Sequence, residues 1–221
     1  QFRHDPSRYL FACVLCVLYA IWTHYPVQHV RVYGDMRWLD PALFESTVSP
    51  MLSAGFLGSS LGKVQSEISA IGGVLSADVM RTWPGDLVVQ LHMREPFVRW
   101  GPRGFVDRTG ALFYPQRAYK AARMMPELVV PLSMLHEGVQ VMMQIQSVLQ
   151  ASVSLHILAV RYQPWRGWVL ELKGPVVLLL GDEFLAARLH RWIQVSGQIL
   201  GRASKGVLVD LRYPDGFVVK R

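Results

Sequence analysis

The stretch Val79–Gly101, VMRTWPGDLVVQLHMREPFVRWG, decides how the rest of the chain is read. In Leu87–Arg94, the residues Leu87, Val89, Leu91 and Met93 fall on one face, and Val88, Gln90, His92 and Arg94 fall on the other. That period of two marks a half-buried strand. Pro84-Gly85 suits the centre of a type II turn, because proline fixes φ and glycine accepts a positive φ. Val79–Trp83 and Leu87–Arg94 are therefore expected to form a hairpin. Pro96 has no N–H, so it is expected to end the second strand or mark its free edge. None of these side chains makes a catalytic set, and the stretch reads as scaffold.

Upstream of it, Val27–Gly34 (VQHVRVYG) alternates as a strand closed by a glycine turn. Asp40-Pro41 supplies an N-cap followed by a first-turn proline, and the helix is expected to reach about Val48 and end at Pro50. A second helix is expected from Ser59 or Ser60, with Leu61, Val64, Ile68 and Ile71 on one face and Gly72-Gly73 as its stop. The order β-α-α-β-β predicts two helices laid on a three-stranded sheet. Downstream, FVDRTGALF reads as two short strands about an Asp-Arg-Thr-Gly turn. A strand Leu128–Leu132 and a helix His136–Ala151 burying Val139, Met142, Ile145 and Leu149 come next. Three strands follow, Leu155–Tyr162, Gly167–Lys173 and Val176–Leu180. A helix Glu183–Leu200 closed by Gly201 and two last strands, Val207–Tyr213 and Phe217–Arg221, complete the chain. The pattern predicts a mostly antiparallel meander with two covering helices, an α+β protein throughout.

The start of the chain differs in kind. Tyr9–Trp22 carries no charge and includes both cysteines, Cys13 and Cys16. At about 1.5 Å per residue the run spans roughly 21 Å, and continuing through Tyr25 brings it near the about 30 Å of a bilayer core. A cleaved signal peptide has a core of similar length, but no small-x-small site follows Ala20. The run is expected to be an uncleaved transmembrane helix over residues 9–25. Residues 1–8 are then the incomplete end of a cytoplasmic tail, and the bulk of the chain lies on the far side. The two cysteines read as packing residues within that helix rather than as a redox or metal pair.

Several functions are disfavoured by what the residues do not do. The net charge is +7, yet the basic residues are scattered rather than gathered in a stripe, so nucleic acid is not the expected partner. Seven histidines show no ligand spacing, and no metal or cofactor is expected. No Gly-x-Ser-x-Gly elbow occurs. GFLGSSLGK, residues 55–63, lacks the order of a phosphate loop because Val64 follows Lys63, and it links two helices. No enzymatic activity is expected.

The β-α-α-β-β module resembles a POTRA domain, and TWPGDLVVQLHMREPFVRW is similar to the corresponding stretch of the FtsQ/DivIB family. FVDRTGALF resembles the hairpin that follows POTRA in that family, and VDLRYPDGFVVKR resembles its terminal strands. The resemblance covers essentially the whole chain. It implies a POTRA domain over 26–96, a β domain over 97–221 ending in an edge strand, and a hinge at Glu95-Pro96. It further implies a non-enzymatic divisome scaffold, single-pass in the inner membrane of the septum, with its C-terminal domain periplasmic. The expected partners are FtsB and FtsL, with FtsW, FtsI, FtsK and FtsN as further divisome proteins. A POTRA-type assembly or secretion factor is the alternative, though that class requires a barrel of which this sequence shows no trace.

The resemblance also assigns residues. Val79 and Arg81 match positions on the second POTRA strand that contribute to septal recruitment. Arg212, Tyr213, Asp215, Gly216, Phe217, Val218, Val219, Lys220 and Arg221 match the terminal edge at which FtsB is expected to add a strand. Arg166 is the candidate to pair with an acidic residue of FtsB. Relatives can carry a tryptophan near their end where this chain has Lys220 and Arg221.

Overall fold

The computed structural model describes residues 13–17, 19, 26–37, 39–53, 55–117, 122, 124–150, 155–174, 176–200 and 206–220. Most of the expected transmembrane run lies outside them. Residues 13–17 and 19 are helical and exposed, and among the described residues no helix is long and apolar enough to cross a membrane. The chain divides into two compact units, and the division falls between Arg94 and Glu95, with a short piece from Pro115 counted in the first.

The first unit is the expected β-α-α-β-β sequence with one extra turn of helix. Its elements are β1 (His29–Tyr33), α1 (Pro41–Leu52), α2 (Gly55–Gly58), α3 (Leu61–Ser69), β2 (Val74–Thr82) and β3 (Asp86–Met93). The strands lie in the order β1-β3-β2, with β1 parallel and β2 antiparallel to the central β3. The alternation read from the sequence holds: Leu87, Val89 and Leu91 are buried, while Val88 and Gln90 are half-exposed and His92 exposed. Val89 and Leu91 join Val64 and Ile68 of α3 and Phe44 and Val48 of α1 in one core. Each such apolar side chain removed from water contributes about 1.5–3 kcal/mol.

The caps fall where the sequence placed them. The Asp40 carboxylate accepts from the Ala42 N–H at 3.2 Å, and the Ser60 hydroxyl accepts from the Lys63 N–H at 3.4 Å. Two local readings are corrected. Helix α1 does not stop before Pro50 but carries it inside its last turn and continues to Leu52. Gly85 does not take the positive φ that the third position of a type II turn needs, so the corner is not of that type; the Trp83-Pro84 peptide before it is cis. Strand β2 also begins five residues earlier than expected, across Leu75 and Ser76, where a bulge interrupts its pairing with β3.

Among the described residues, the second unit is built on a nine-stranded sheet. Its strands are β4 (Val98–Trp100), β5 (Gly104–Val106), β6 (Leu112–Phe113), β7 (Glu127–Val129), β8 (Ile157–Gln163), β9 (Gly167–Leu172), β10 (Val176–Gly181), β11 (Val207–Asp210) and β12 (Val218–Lys220). Its helices are α4 (Leu135–Leu149) and α5 (Leu185–Leu200). The expected strand Leu128–Leu132 is shorter, because Pro131 breaks it and a 3-10 turn over Leu132–Met134 follows. FVDRTGALF forms the expected hairpin, with Phe105 opposite Phe113 and Val106 opposite Leu112. Its turn is held by Asp107, whose carboxylate accepts from the N–H groups of Thr109 and Ala111.

The sheet is mostly antiparallel, as expected, but it is not a plain meander. Most neighbours are antiparallel, but β4–β7, β7–β8 and β10–β11 are parallel pairs. Helix α4 is the crossover between β7 and β8, and α5 is the crossover between β10 and β11. Parallel neighbours require such a connection, since a tight turn reverses direction. Both helices pack on one side, where Val139, Met142 and Ile145 of α4 and Leu189 and Trp192 of α5 meet Val160, Leu170, Leu178 and Val209 of the sheet. The strand order runs β12-β11-β10-β9-β8-β7-β4-β5-β6, which leaves β12 at one edge.

Candidate functional site

The end of the sheet beside β12 is shaped by three connections: the β8–β9 turn at Pro164–Arg166, the β10–α5 link at Asp182–Phe184, and the β11–β12 loop from Leu211 to Phe217. Glycines let these segments approach. Gly181 has φ +73, and a Cβ there would stand 2.7 Å from Arg188 Nη1 and 3.2 Å from Arg212 Cγ. Gly167 has φ +69, and a Cβ there would stand 2.5 Å from the carbonyl carbon of Gly181. The result is a cavity of about 320 Å³ whose wall includes Arg166, Arg188 and Arg212 beside Asp182 and Glu183. Two expected residues, Arg166 and Arg212, thus share one cavity.

Their states differ. Arg166 is exposed, with its backbone N–H donating to Gln163 O at 2.9 Å. Arg212 forms a fork with Asp210: Nε donates to Oδ1 at 2.8 Å and Nη2 to Oδ2 at 2.7 Å. Those hydrogen bonds hold the Asp210 carboxyl below the usual carboxylate range, against the burial that would raise it. Leu211 N–H donates to Leu179 O at 2.9 Å, so the loop starts as a continuation of the β10–β11 ladder.

The remaining expected residues line the loop and the edge. Tyr213 is 53% exposed, Asp215 is exposed, and Gly216 is half-buried. Phe217 packs against the large core and fixes the point where β12 begins. Strand β12 pairs with β11 through Val218–Asp210, Val219–Val209 and Lys220–Leu208, and all three of its side chains are exposed. Arg221 lies outside the described residues.

Two arginines of α5 that the sequence reading passed over hold this loop. Arg188 donates to Leu180 O and, at 3.3 Å, to Arg212 O. Arg191 uses one nitrogen, Nη1, for both Tyr213 O at 3.0 Å and Gly216 O at 3.3 Å. Their spacing of three residues puts both on one helix face, which was the available signal. Two exposed aromatics on the same connections were also passed over: Trp165, 93% exposed, and Phe184, 72% exposed at φ 56.

The other expected pair belongs to the first unit. Val79 is half-buried and packs against the core. Arg81 turns inward to α2: its Nε donates to Phe56 O at 2.6 Å, a second nitrogen donates to Ser59 O, and the guanidinium lies 6.0 Å from the Phe56 ring centre. Those bonds make it a structural tie between β2 and the end of α2. Among the described residues no group of histidine, cysteine and acidic side chains is placed to hold a metal ion.

Comparison with known proteins gives a family match. Residues 98–212, more than half of the chain, match the model for the C-terminal region of the cell-division protein FtsQ/DivIB. The chain is 29% identical over 219 residues to the cell-division protein FtsQ of Hahella chejuensis, covering 96% of this chain and 77% of that protein. It is 28% identical over 197 residues to FtsQ of Xanthomonas campestris pv. campestris, covering 89% and 70%. With FtsQ of Shewanella oneidensis the identity is 26% over 195 residues, covering 88% and 73%.

Proposed function

Because this chain belongs to the FtsQ/DivIB family of cell-division proteins, we propose that it is a divisome scaffold whose β12 edge receives an extended segment of FtsB. The observation that carries this reading is β12 itself: a three-residue strand at the rim of the large sheet, with Val218 and Val219 exposed. A sheet edge offers unpaired N–H and C=O groups and is normally blunted or covered. Lys220 supplies part of such blunting, but two exposed valines beside it are what an incoming strand would cover. Main-chain pairing gives affinity and alternate side chains give specificity. Arg166, Arg212, Tyr213, Asp215 and Gly216 shape the approach to that edge, with Arg166 free in direction to meet an acidic side chain. In this reading the scaffold performs no chemistry. It sits in the inner membrane through the apolar run near its start, carries POTRA and β domains in the periplasm, and acts with FtsL and the FtsW, FtsI, FtsK and FtsN machinery at the septum. Val79 and Arg81 belong to its recruitment surface.

The test is a titration of the full chain with an FtsB fragment, read together with amide exchange over Phe217–Lys220. Saturable binding that protects those amides is expected. Tyr213→Ala is expected to weaken it by about 2 kcal/mol, the loss typical of an exposed aromatic that anchors an interface. Binding without protection of β12 would move the FtsB site elsewhere.

A further inference from the structure

Strand β12 is poorly equipped to hold its own position. It has three residues, one neighbour and no buried side chain. Such a segment is expected to open locally at little cost, far below the free energy of global unfolding. An edge that frays cannot template a partner, so something other than β12 must hold it. From the hydrogen bonds of the preceding loop we infer that Arg191, supported by Arg188, is the positioning residue that keeps β12 competent for strand addition. The inference rests on the strand-addition reading above and adds the device that makes it work.

The geometry is specific. Tyr213 and Gly216 are the first and last residues of the Tyr213-Pro214-Asp215-Gly216 bend, and Phe217 leaves it to start β12. In a closed β-turn the first carbonyl accepts from the fourth N–H. Here the carbonyl of Tyr213 accepts from Arg191 Nη1, and the same nitrogen is bonded by the carbonyl of Gly216. One cation thus ties both ends of the bend and sets the angle at which the chain emerges. Its own position is firm, because α5 is anchored on either side of it by the buried Leu189 and Trp192. Arg188, one turn earlier, bonds the carbonyl of Arg212 and that of Leu180, securing the start of the loop to the end of β10. The order runs from the rigid core, through two guanidinium groups, to an otherwise weak strand. Arg191 touches no partner in this arrangement; it acts by removing the ordering cost that binding would otherwise have to meet.

The test uses the full chain with Arg191→Met, which keeps a stem of similar bulk and deletes the donors, and with Arg191→Lys, whose ammonium can serve two carbonyls. Amide exchange, thermal unfolding and titration with an FtsB fragment are measured on all three proteins. Arg191→Met is expected to speed exchange at Phe217–Lys220 while leaving β9 and β10 amides and the unfolding midpoint unchanged. Its Kd rises about tenfold if the competent population falls to about a tenth. Arg191→Lys restores both readouts in large part, which loss of bulk alone would not allow. Parental exchange at β12 in Arg191→Met, or parental affinity, overturns the inference. If the parent itself fails to bind the FtsB fragment, the strand-addition reading falls, and the exchange comparison still decides whether Arg191 holds β12.

Discussion

Arg81, proposed for recruitment, also carries a structural load. Its guanidinium serves the carbonyls of Phe56 and Ser59, closing the C-terminal end of α2. Arg81→Glu replaces a donor with an acceptor facing two carbonyl oxygens. It is expected to cost about 1.5–3 kcal/mol of stability, the range for a hydrogen bond to a charged group. Denaturant unfolding of the variant checks this, and a parental midpoint would show that the tie is dispensable. A defect in septal recruitment is therefore interpretable only beside that measurement. Trp192 is the opposite case. It is fully buried in the large core, and its indole N–H has no acceptor among the described residues. Trp192→Phe deletes that unmatched donor, which offsets the packing it loses, so a cost of about 1 kcal/mol or less is expected. Trp192→Ala leaves a cavity as well and is expected to cost about 3–5 kcal/mol. A Trp192→Phe cost well above about 1 kcal/mol would show that the N–H is satisfied in solution.

At the scale of elements, the strand and helix list was legible because alternation and capping are local. Asp40 and Ser60 announced their helices by chemistry within four residues, and Leu87, Val89 and Leu91 announced their face by period. Pairing was not legible in the same way. Nothing in Leu128–Val129 or Val176–Leu180 says that the next strand will run parallel, because direction is set by the crossover helix and not by either strand. The candidate site divides likewise. The terminal edge and Arg166 could be placed from the sequence. Arg188 and Arg191 could not, since their acceptors are backbone carbonyls, which leave no trace in residue identity. The Asp210–Arg212 fork is a further element-level device. Arg212 holds the folded Asp210 carboxyl below its ordinary value of about 3.9, so this contribution is fully present above about pH 4 and is lost as pH falls through the folded value. Acid titration of stability should show the loss, and Asp210→Asn should lack that component. A variant as acid-sensitive as its parent would place the effect on other carboxylates.

For the whole molecule, the two units carry separate cores. The second places β12, the strand proposed for docking, outside its core. A chain ending at Phe217 is expected to keep the unfolding midpoint of the parent to within a few degrees and to lose FtsB binding, because β12 contributes exposed side chains and three ladder positions only. Collapse of the sheet on that truncation would show that β12 is structural rather than a docking rail. The two ends of the sheet also differ. At one end stands β12 with its exposed valines; at the other stands β6, a strand of two residues. Stacking sheet upon sheet between copies requires two serviceable ends, as polymer growth requires a difunctional monomer. In these terms, on the strand-addition reading, the sheet is monofunctional: once capped at β12, it presents among the described residues a two-residue stub, β6, for continued growth.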